Sequence, residues 1–508
     1  MDERLDILAR CRAIPRVHLL WIAYLTLAAV LAVPLLLVEV PLSSDTLNHL
    51  ARIHVLAHID SDPDLARFFQ PRDVLVPYMG LDWLLTPLAR VVPTLVAGRI
   101  AIVLLLWGTV GAVVALQRVF TGRVGFEPLL MGLVSYNSVL AWGFLNYALG
   151  VIGALLGLAA WHGLRRRPWL LRLGVFSAVA TAMYFTHLLA LGLYGIMLGA
   201  YEVFGRPKAW RTPLRDWVVL AAQFIPAILL WLHLAMPSPG GQTGALWHPL
   251  LKVLGLMSPF LFSGAMGEPS FGMAVFAVSV FQVYRLTRMG VLHWNRALAA
   301  PAATVLLLGF AVPTWTAGVF LGDMRLPVAA AFLAAAALSV MPGAAARLLP
   351  SGLLLALCIA VQTWSAGTAL RACDRQYGEL RAALQELPRG AILLPVQDDT
   401  PVSDGRCSRM RVYDHMAQLI TVERSGYSPT FFSAATAMGV RDGLAQDWAV
   451  KYTNSFPSEA LMPGGYLLWM HLGNHSHPAP PGLVLLHSGS FFDLFSIPGL
   501  PERAGHQG

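Results

Sequence analysis

The sequence predicts an all-α polytopic membrane bundle of about eleven transmembrane helices with a small C-terminal α/β extracytoplasmic domain. Three observations predict it. Of 508 residues, 56% are hydrophobic and only 13% charged, with a mean hydropathy of +0.60, against roughly 25% charge in an average soluble domain. The apolar residues gather in repeated runs long enough to cross a bilayer. The basic residues gather in short loops between alternate runs, as orientation by positive charge requires.

The first run is Val17–Val38. At helical rise it reaches about 33 Å, enough for a hydrocarbon core of roughly 30 Å. It is too long for a signal-peptide core, and no small-residue cleavage site follows, so a retained span is expected. Arg4, Arg10, Arg12 and Arg16 precede it and place the N-terminus in the cytoplasm.

The connection 39–94 is too polar to cross. Within it, PLSSDTLNHLARIHVLAHID (Pro41–Asp60) reads as a helix capped by Ser43 or Ser44, with an apolar stripe at Leu47, Leu50, Ile53, Val55, Leu56 and Ile59. A short helical piece is expected at Pro63–Phe69. Gly80–Val91, with Leu81, Leu84, Leu85 and Leu88, suits a helix lying in the membrane interface.

Further spans are expected near 95–116, 125–141, 144–163, 169–185, 187–204, 217–236, 267–286, 297–320, 326–342 and 348–369. Threaded from a cytoplasmic N-terminus, the inside loops hold Arg118 and Arg123; Arg165, Arg166 and Arg167; Arg206, Lys208, Arg211 and Arg215; Arg285, Arg288 and Arg296; and Arg347. The outer turns at 142–146, 186–188 and 237–245 hold no base. Leu246–Phe262, interrupted by His248, Pro249, Lys252 and Pro259, reads as an interfacial or re-entrant piece on the outer side. This threading divides the chain into a membrane domain, 1–370, and an extracytoplasmic domain, 371–508. The setting is an integral multi-pass protein of a plasma membrane, and the Ala-, Leu-, Gly- and Arg-rich usage suits a GC-rich bacterial genome.

In the tail, Cys373–Leu387 reads as an amphipathic helix and Ala391–Val396 as a strand. Tyr413–Ser425 reads as a second helix; Tyr466–His471, Leu483–His487 and Phe491–Ile497 read as strands between turn-rich HSHPAPPG and SGS. Cys373 and Cys407 both fall here, so a disulfide between them and two free thiols are both open. No CxxC pair exists to suggest a cysteine zinc site. The net charge of +8 is spread over loops, without a basic stripe or recognition motif, so no nucleic-acid partner is expected.

Candidate chemistry collects on the outer face. Asp45, His49 and Arg52 are spaced by about one helical turn and share a face. Trp142, Asn146 and Tyr147 sit at one outer turn, His187 at the next, and Asp323 and Arg325 at a later one. A carboxylate there can take a proton from an attacking hydroxyl, and a cation there can stabilise a phosphate leaving group. Each residue has a plainer reading beside this one. Asp45 can merely favour a helix start; His49 can pack under the loop; Arg52 can pair with a surface acid. Arg325 can snorkel, Arg99 can pair just inside its span, and Asn146 and His187 can be polar turn residues. His54 and His58, four apart, lack an evident third metal ligand. Asp60, Asp62 and Asp64 flank Pro63 without the glycine and glutamate of a calcium loop, so they read as a helix-capping turn.

A first span followed by an outer loop with an acid and a helix resembles the GT-C superfamily of integral membrane glycosyltransferases. The resemblance continues through LDWLLTPLARVVP, AGRIAIVLLLWGTVGAVVALQRVF and YNSVLAWGFLNYALGVIGALLGLAAWH, covering Val17–Arg206 in pattern. It implies an enzyme that takes a sugar from a polyprenyl-phosphate carrier and passes it to an envelope glycan, lipid or protein acceptor. It implies Asp45 as catalytic base, with His49 beside it. Arg325 and Arg99 are then expected at the carrier phosphate, and Arg52, Asn146 and His187 around the substrate. Many such enzymes carry paired acids in this loop. Ser43-Ser44-Asp45 carries one, so no metal ligand is assigned and a divalent cation stays an open alternative. A non-catalytic scaffold of envelope assembly competes with this reading. A transporter is disfavoured by the few charges within spans and the lack of an internal repeat.

Overall fold

The computed structural model describes residues 2–40, 43–72, 75–206, 213–234, 246–262, 268–316, 319–341, 344–397, 407, 412–432, 438–441, 444, 451–452, 464–471 and 481–498. The outer turn at 237–245 and most of HSHPAPPG lie outside them. The chain starts with α1 (Asp2–Leu36). The first long connection then carries α2 (Thr46–His58), α3 (Pro63–Phe68), β1 (Phe69–Pro71) and α4 (Gly80–Ala89). After α5 (Thr94–Thr121), the stretch expected as a span at 125–141 is broken into a 3-10 turn (Glu127–Leu130), α6 (Met131–Val134) and α7 (Ser138–Ala141). Asn137 makes the break. Its Oδ1 accepts from Leu140 N–H at 3.2 Å while its amide donates to the Val134 carbonyl at 2.8 Å, so side-chain bonds replace the helical ladder.

Next come α8 (Leu145–Leu164), α9 (Trp169–Thr186) and α10 (Leu188–Ala200), the last running into a π turn, Tyr201–Gly205. They are followed by α11 (Leu214–Ala222), α12 (Ile225–Leu234), α13 (Pro249–Gly255), α14 (Glu268–Arg288), β2 (Leu292–Trp294) and α15 (Arg296–Ala311). The expected span 297–320 thus stops at Ala311, before a small hairpin of β3 (Trp315–Thr316) and β4 (Val319–Phe320). Then come α16 (Gly322–Ala337), β5 (Leu338–Val340), which pairs with β2, and α17 (Ala345–Leu384). Among the described residues, seven segments are long and apolar enough to span: His18–Leu36, Thr94–Thr121, Leu145–Leu164, Trp169–Thr186, Leu188–Gly205, Leu214–His233 and Arg347–Leu384. The chain is therefore a polytopic, mainly helical membrane protein. α14, α15 and α16 stand where three more spans were expected.

α17 does not stop near 370. Its 40 residues join the last apolar run to the amphipathic helix of the tail, because Ala369–Leu384 contains neither glycine nor proline apart from Gly378 and is rich in helix formers. The C-terminal α/β part, called the outer domain after the side on which the sequence places it, is built on its far end. It adds β6 (Leu393–Gln397), a 3-10 turn (Val412–Gln418), α18 (Leu419–Arg424), β7 (Met438–Val440), β8 (Lys451–Tyr452), β9 (Tyr466–Met470), β10 (Val484–Ser488) and β11 (Phe492–Ser496). The sheet runs β10-β11-β9-β6-β8, parallel from β9 through β8 and antiparallel beyond β9. Strand alternation sorts its core. Leu393, Leu468, Met470 and Leu494 face the helices, while Leu394, Val396, Leu467 and Phe495 form a second apolar layer. Cys373 and Cys407 are bonded to each other.

The loops divide between two ends of the bundle. At one, Arg123 donates to the Val340 carbonyl at 2.7 Å and Arg296 to the Phe204 carbonyl at 3.0 Å. At the other, α8, α10 and α16 begin, and α2, α4 and the outer domain pack. There Asp374 of α17 accepts from the Glu39 and Val40 amides, both at 2.8 Å, fixing the chain as it leaves α1. The outer domain also reaches over the first connection, where β7 pairs with β1.

α2 is buried on two sides. Leu47, Leu50 and Ile53 join the bundle core; Ala51 and Val55 join a second cluster with Phe68, Phe69 and Tyr427. A Cβ at Gly98 of α5 would lie 2.6 Å from a Leu50 methyl, so only glycine lets α2 approach this closely. Beneath α2, Arg52 donates through Nε and Nη2 to both oxygens of Asp82 on α4, at 2.9 and 2.8 Å. The two side chains are 2% and 3% exposed. α4 itself turns Leu81 and Leu85 inward and leaves Trp83 and Leu84 exposed, as a helix in the interface should. Arg52→Ala is expected to cost about 3–5 kcal/mol, because it strands a buried carboxylate. Thermal unfolding in micelles should show this, and Arg52→Met combined with Asp82→Leu should recover part of the loss.

Candidate active site

Asp45 sits at the start of α2, yet its side chain makes no capping hydrogen bond. The helix start is held by backbone instead. Ser44 N–H donates to the Ala141 carbonyl at 3.2 Å and Asp45 N–H to the Trp142 carbonyl at 3.0 Å, docking α2 on the turn after α7. That turn needs Gly143. Its φ is +75°, and a Cβ there would lie 2.6 Å from Ser43 Oγ and 2.8 Å from Thr46 N. The Asp45 carboxylate is thereby left for other partners, with 22% of its side chain exposed.

One turn on, His49 donates its backbone N–H to the Asp45 carbonyl at 3.1 Å, and its Nδ1 lies 3.2 Å from Arg52 Nη2. Burial first, and the Arg52 cation second, push its pKa down to about 3, against a smaller opposing pull from Asp45. The ring is therefore neutral at physiological pH. Arg52, expected to touch substrate, donates to both Asp82 oxygens and lies against His49.

Across from α2, His187 ends α9 and begins α10, its Nδ1 accepting from Leu189 N–H at 3.1 Å. Its Nε2 lies 3.1 Å from Arg325 Nη1. Arg325 is buried, with its guanidinium 3.5 Å from the Phe144 ring centroid and 5.6 Å from that of Tyr147, whose hydroxyl donates to the Arg325 carbonyl. Asp45 and Tyr78 lie within electrostatic reach of Arg325, and His49 within reach of His187. The sequence-predicted residues Asp45, His49, His187 and Arg325 thus converge on one region. Tyr78 packs edge-on against His187 with ring centroids 4.8 Å apart, and its φ of +72° is strained for a bulky residue.

Asn146 and Arg99 do other work. Asn146 accepts from Leu81 N–H at 2.9 Å and donates to the Tyr78 carbonyl at 3.1 Å, clamping the start of α4 to α8. Arg99 donates to the Val38 carbonyl at 2.7 Å, tying α5 to the end of the first span. Asp323 is buried in a pair with Lys252 of α13 at 2.9 Å and accepts from Thr314 Oγ1 at 2.7 Å, which seats the interfacial piece against α16.

Two contributors come from the outer domain and were not foreseen. His415 places Nε2 3.5 Å from Asp45 Oδ1, and the Phe432 ring stands edge-on to both His49 and His415, at 6.0 and 4.7 Å. They lie 370 and 387 residues from Asp45 in the chain, so no local spacing could have signalled the encounter.

A separate hollow of about 390 Å³ lies beside His54, His58, Asp62, Asp64 and Arg389. Asp62 caps α3, and both acids are paired with Arg389 at 2.7 and 3.1 Å, so the capping reading of this turn accounts for them. Among the described residues no group of three His, Cys, Asp or Glu side chains could hold a metal ion.

No family model matches the chain, and no curated protein does. Among solved structures it is similar to the crystal structure of ArnT from Cupriavidus metallidurans bound to undecaprenyl phosphate, at 14% identity and a TM-score of 0.48, over 96% of this chain and 99% of that one. It is also similar to a cryo-EM structure of arabinofuranosyltransferase AftD from Mycobacteria, at 14% identity and a TM-score of 0.44, over 95% of this chain and 42% of that one.

His54 is also pushed down, to about 4, by burial and then by His58. Below pH 6.5 the unfolded chain protonates rings that the fold keeps neutral, so these two groups withdraw stability as pH falls toward 4. Each contributes at most about 1.4 kcal/mol per pH unit. The melting temperature should therefore drop from pH 7 to pH 5, and His49→Gln should make that drop shallower. An unchanged slope in the variant would contradict a buried neutral ring.

Proposed function

We propose that the chain transfers a sugar from a polyprenyl-phosphate carrier to an acceptor hydroxyl at the face of the membrane where α2 and the outer domain meet. The observation that carries this reading is a carboxylate at a helix start that is not spent on capping, on the same face as a buried arginine. The transfer forms a bond between the acceptor oxygen and the anomeric carbon while the bond from that carbon to the phosphate oxygen breaks. Asp45 takes the acceptor proton as the oxygen attacks. The carrier phosphate leaves with the bonding electron pair, and Arg325 stabilises its charge. His49, kept neutral, adds no second cation beside Asp45 and leaves its carboxylate free to accept the proton. The exposed apolar edge of α4, Trp83 and Leu84, would guide the lipid chain.

The bonded pair Cys373–Cys407 supports an extracytoplasmic outer domain, since such bonds persist in oxidising compartments. On this reading the N-terminus is cytoplasmic and the membrane is the bacterial inner membrane. The carrier and the acceptor glycan, lipid or protein are the partners, and no nucleic acid is.

Replacing Asp45 by Asn should reduce turnover at least about 100-fold at unchanged membrane abundance. Mass spectrometry of cellular lipid carriers and envelope glycans should then find a sugar-charged carrier accumulating and a glycan short of one residue. Profiles identical to wild type, alongside a defect in the full deletion, would leave Asp45 a structural residue and favour the scaffold. Arg325→Lys keeps the charge but loses the planar fork, and turnover about tenfold lower is expected from the same carrier measurement.

A further inference from the structure

We infer that His415, delivered by the outer domain, is a positioning residue that aims the Asp45 carboxylate, so that the site is complete only when this domain is seated on α2. The inference deepens the transferase reading and rests on it for the role of Asp45.

The argument begins with Asn48, buried one helical position from His49. Its Oδ1 accepts from the Phe432 backbone N–H at 2.7 Å, and its Nδ2 donates to the Thr430 carbonyl at 2.6 Å. A backbone N–H can only donate and a carbonyl can only accept, so the orientation of this amide is fixed. Nδ2 also lies 3.0 Å from His415 Nδ1. Since Nδ2 is a donor, Nδ1 must be the acceptor. The neutral His415 ring therefore carries its proton on Nε2, the nitrogen that faces Asp45 Oδ1 at 3.5 Å. The Asn48 amide thus sets the imidazole, whose Nε2 is turned toward the carboxylate, and this contact path crosses from the membrane domain into the outer domain and back.

The distance fits a positioning role. At 3.5 Å the approach of Nε2 to Oδ1 is longer than a good hydrogen bond, so it can orient the carboxylate without tying up its lone pair. A base must keep some readiness to accept a proton, and a tight bond would use up the lone pair it needs. Among the described residues, these groups face the pair. From α2 come Asp45, Asn48 and His49, with Arg52 behind His49. Arg325 lies within electrostatic reach from α16, and Phe432 walls the ring from the outer-domain side. His49 stays neutral beside Arg52, so His415 is the imidazole placed to present an N–H to Asp45.

The test uses the full-length protein in cells at matched membrane abundance and reads the ratio of sugar-charged to free carrier by mass spectrometry. His415→Ala should raise that ratio severalfold. His415→Gln, which restores an N–H donor, should return most of the way to wild type. Asn48→Ala, which frees the ring to turn, should fall between. A wild-type ratio in both His415→Ala and Asn48→Ala would overturn the inference even if Asp45→Asn raised the ratio. A defect in His415→Ala that His415→Gln does not relieve would mark a merely structural residue and overturn it too. A raised ratio in His415→Ala with normal carriers in Asp45→Asn would instead remove the catalytic reading.

Discussion

The buried amide of Asn48 is the contact on which the arrangement depends. It satisfies a backbone N–H and a backbone carbonyl of the outer-domain segment 430–432 at once, while sitting on the helix that starts with Asp45. Losing it would leave two polar backbone groups in a partly buried interface without their partner, at a cost of up to about 1–3 kcal/mol each. That cost makes the seating of the outer domain specific rather than merely sticky. The apolar contacts around it, Ala51 and Val55 against Phe69 and Tyr427, tolerate small slides; the Asn48 bonds do not. Since α2 is pinned below by Arg52 and Asp82, it is held at a fixed height between membrane and domain.

Much of this was legible in the sequence, and what was not has a common cause. Long apolar runs announced α5, α8, α9 and α10, because burying a helix in lipid needs only length and composition. The amphipathic α4 was legible from Leu81 and Leu85, and the strands β6, β9, β10 and β11 from their alternation. The run at 125–141 misled because apolar content reports burial and not continuity. Asn137 bonds its own backbone there, which hydropathy does not see. The end of α17 misled for the opposite reason: polarity changed near Leu370, but nothing in the backbone chemistry required the helix to stop.

The site divides along the same line. That Asp45 and His49 lie together was legible because one helical turn relates them, and that His187 and Arg325 lie at the same end was legible because they mark the ends of apolar runs. The work of Arg52 was not, since Asp82 lies 30 residues away on another helix. Asn146 looked like a turn residue free for ligand and is spent on clamping α4. His415 had no local signal at all, because its meaning comes from Asn48 and Asp45 across the domain junction.

The distribution of charge across this junction follows a consistent logic. On the proposed reading the base is an anion and the leaving phosphate another, and the two repel. Arg325 would answer the phosphate, and its stacking on Phe144 lowers the cost of burying a cation. His49, buried beside Arg52, is held neutral and adds no second cation there. His415, supplied from outside the bundle, faces the carboxylate from the other side of the junction. A domain that also recognises the acceptor would then place the hydroxyl and prepare its base in the same seating, so that the carboxylate reaches its working state only where an acceptor can be held.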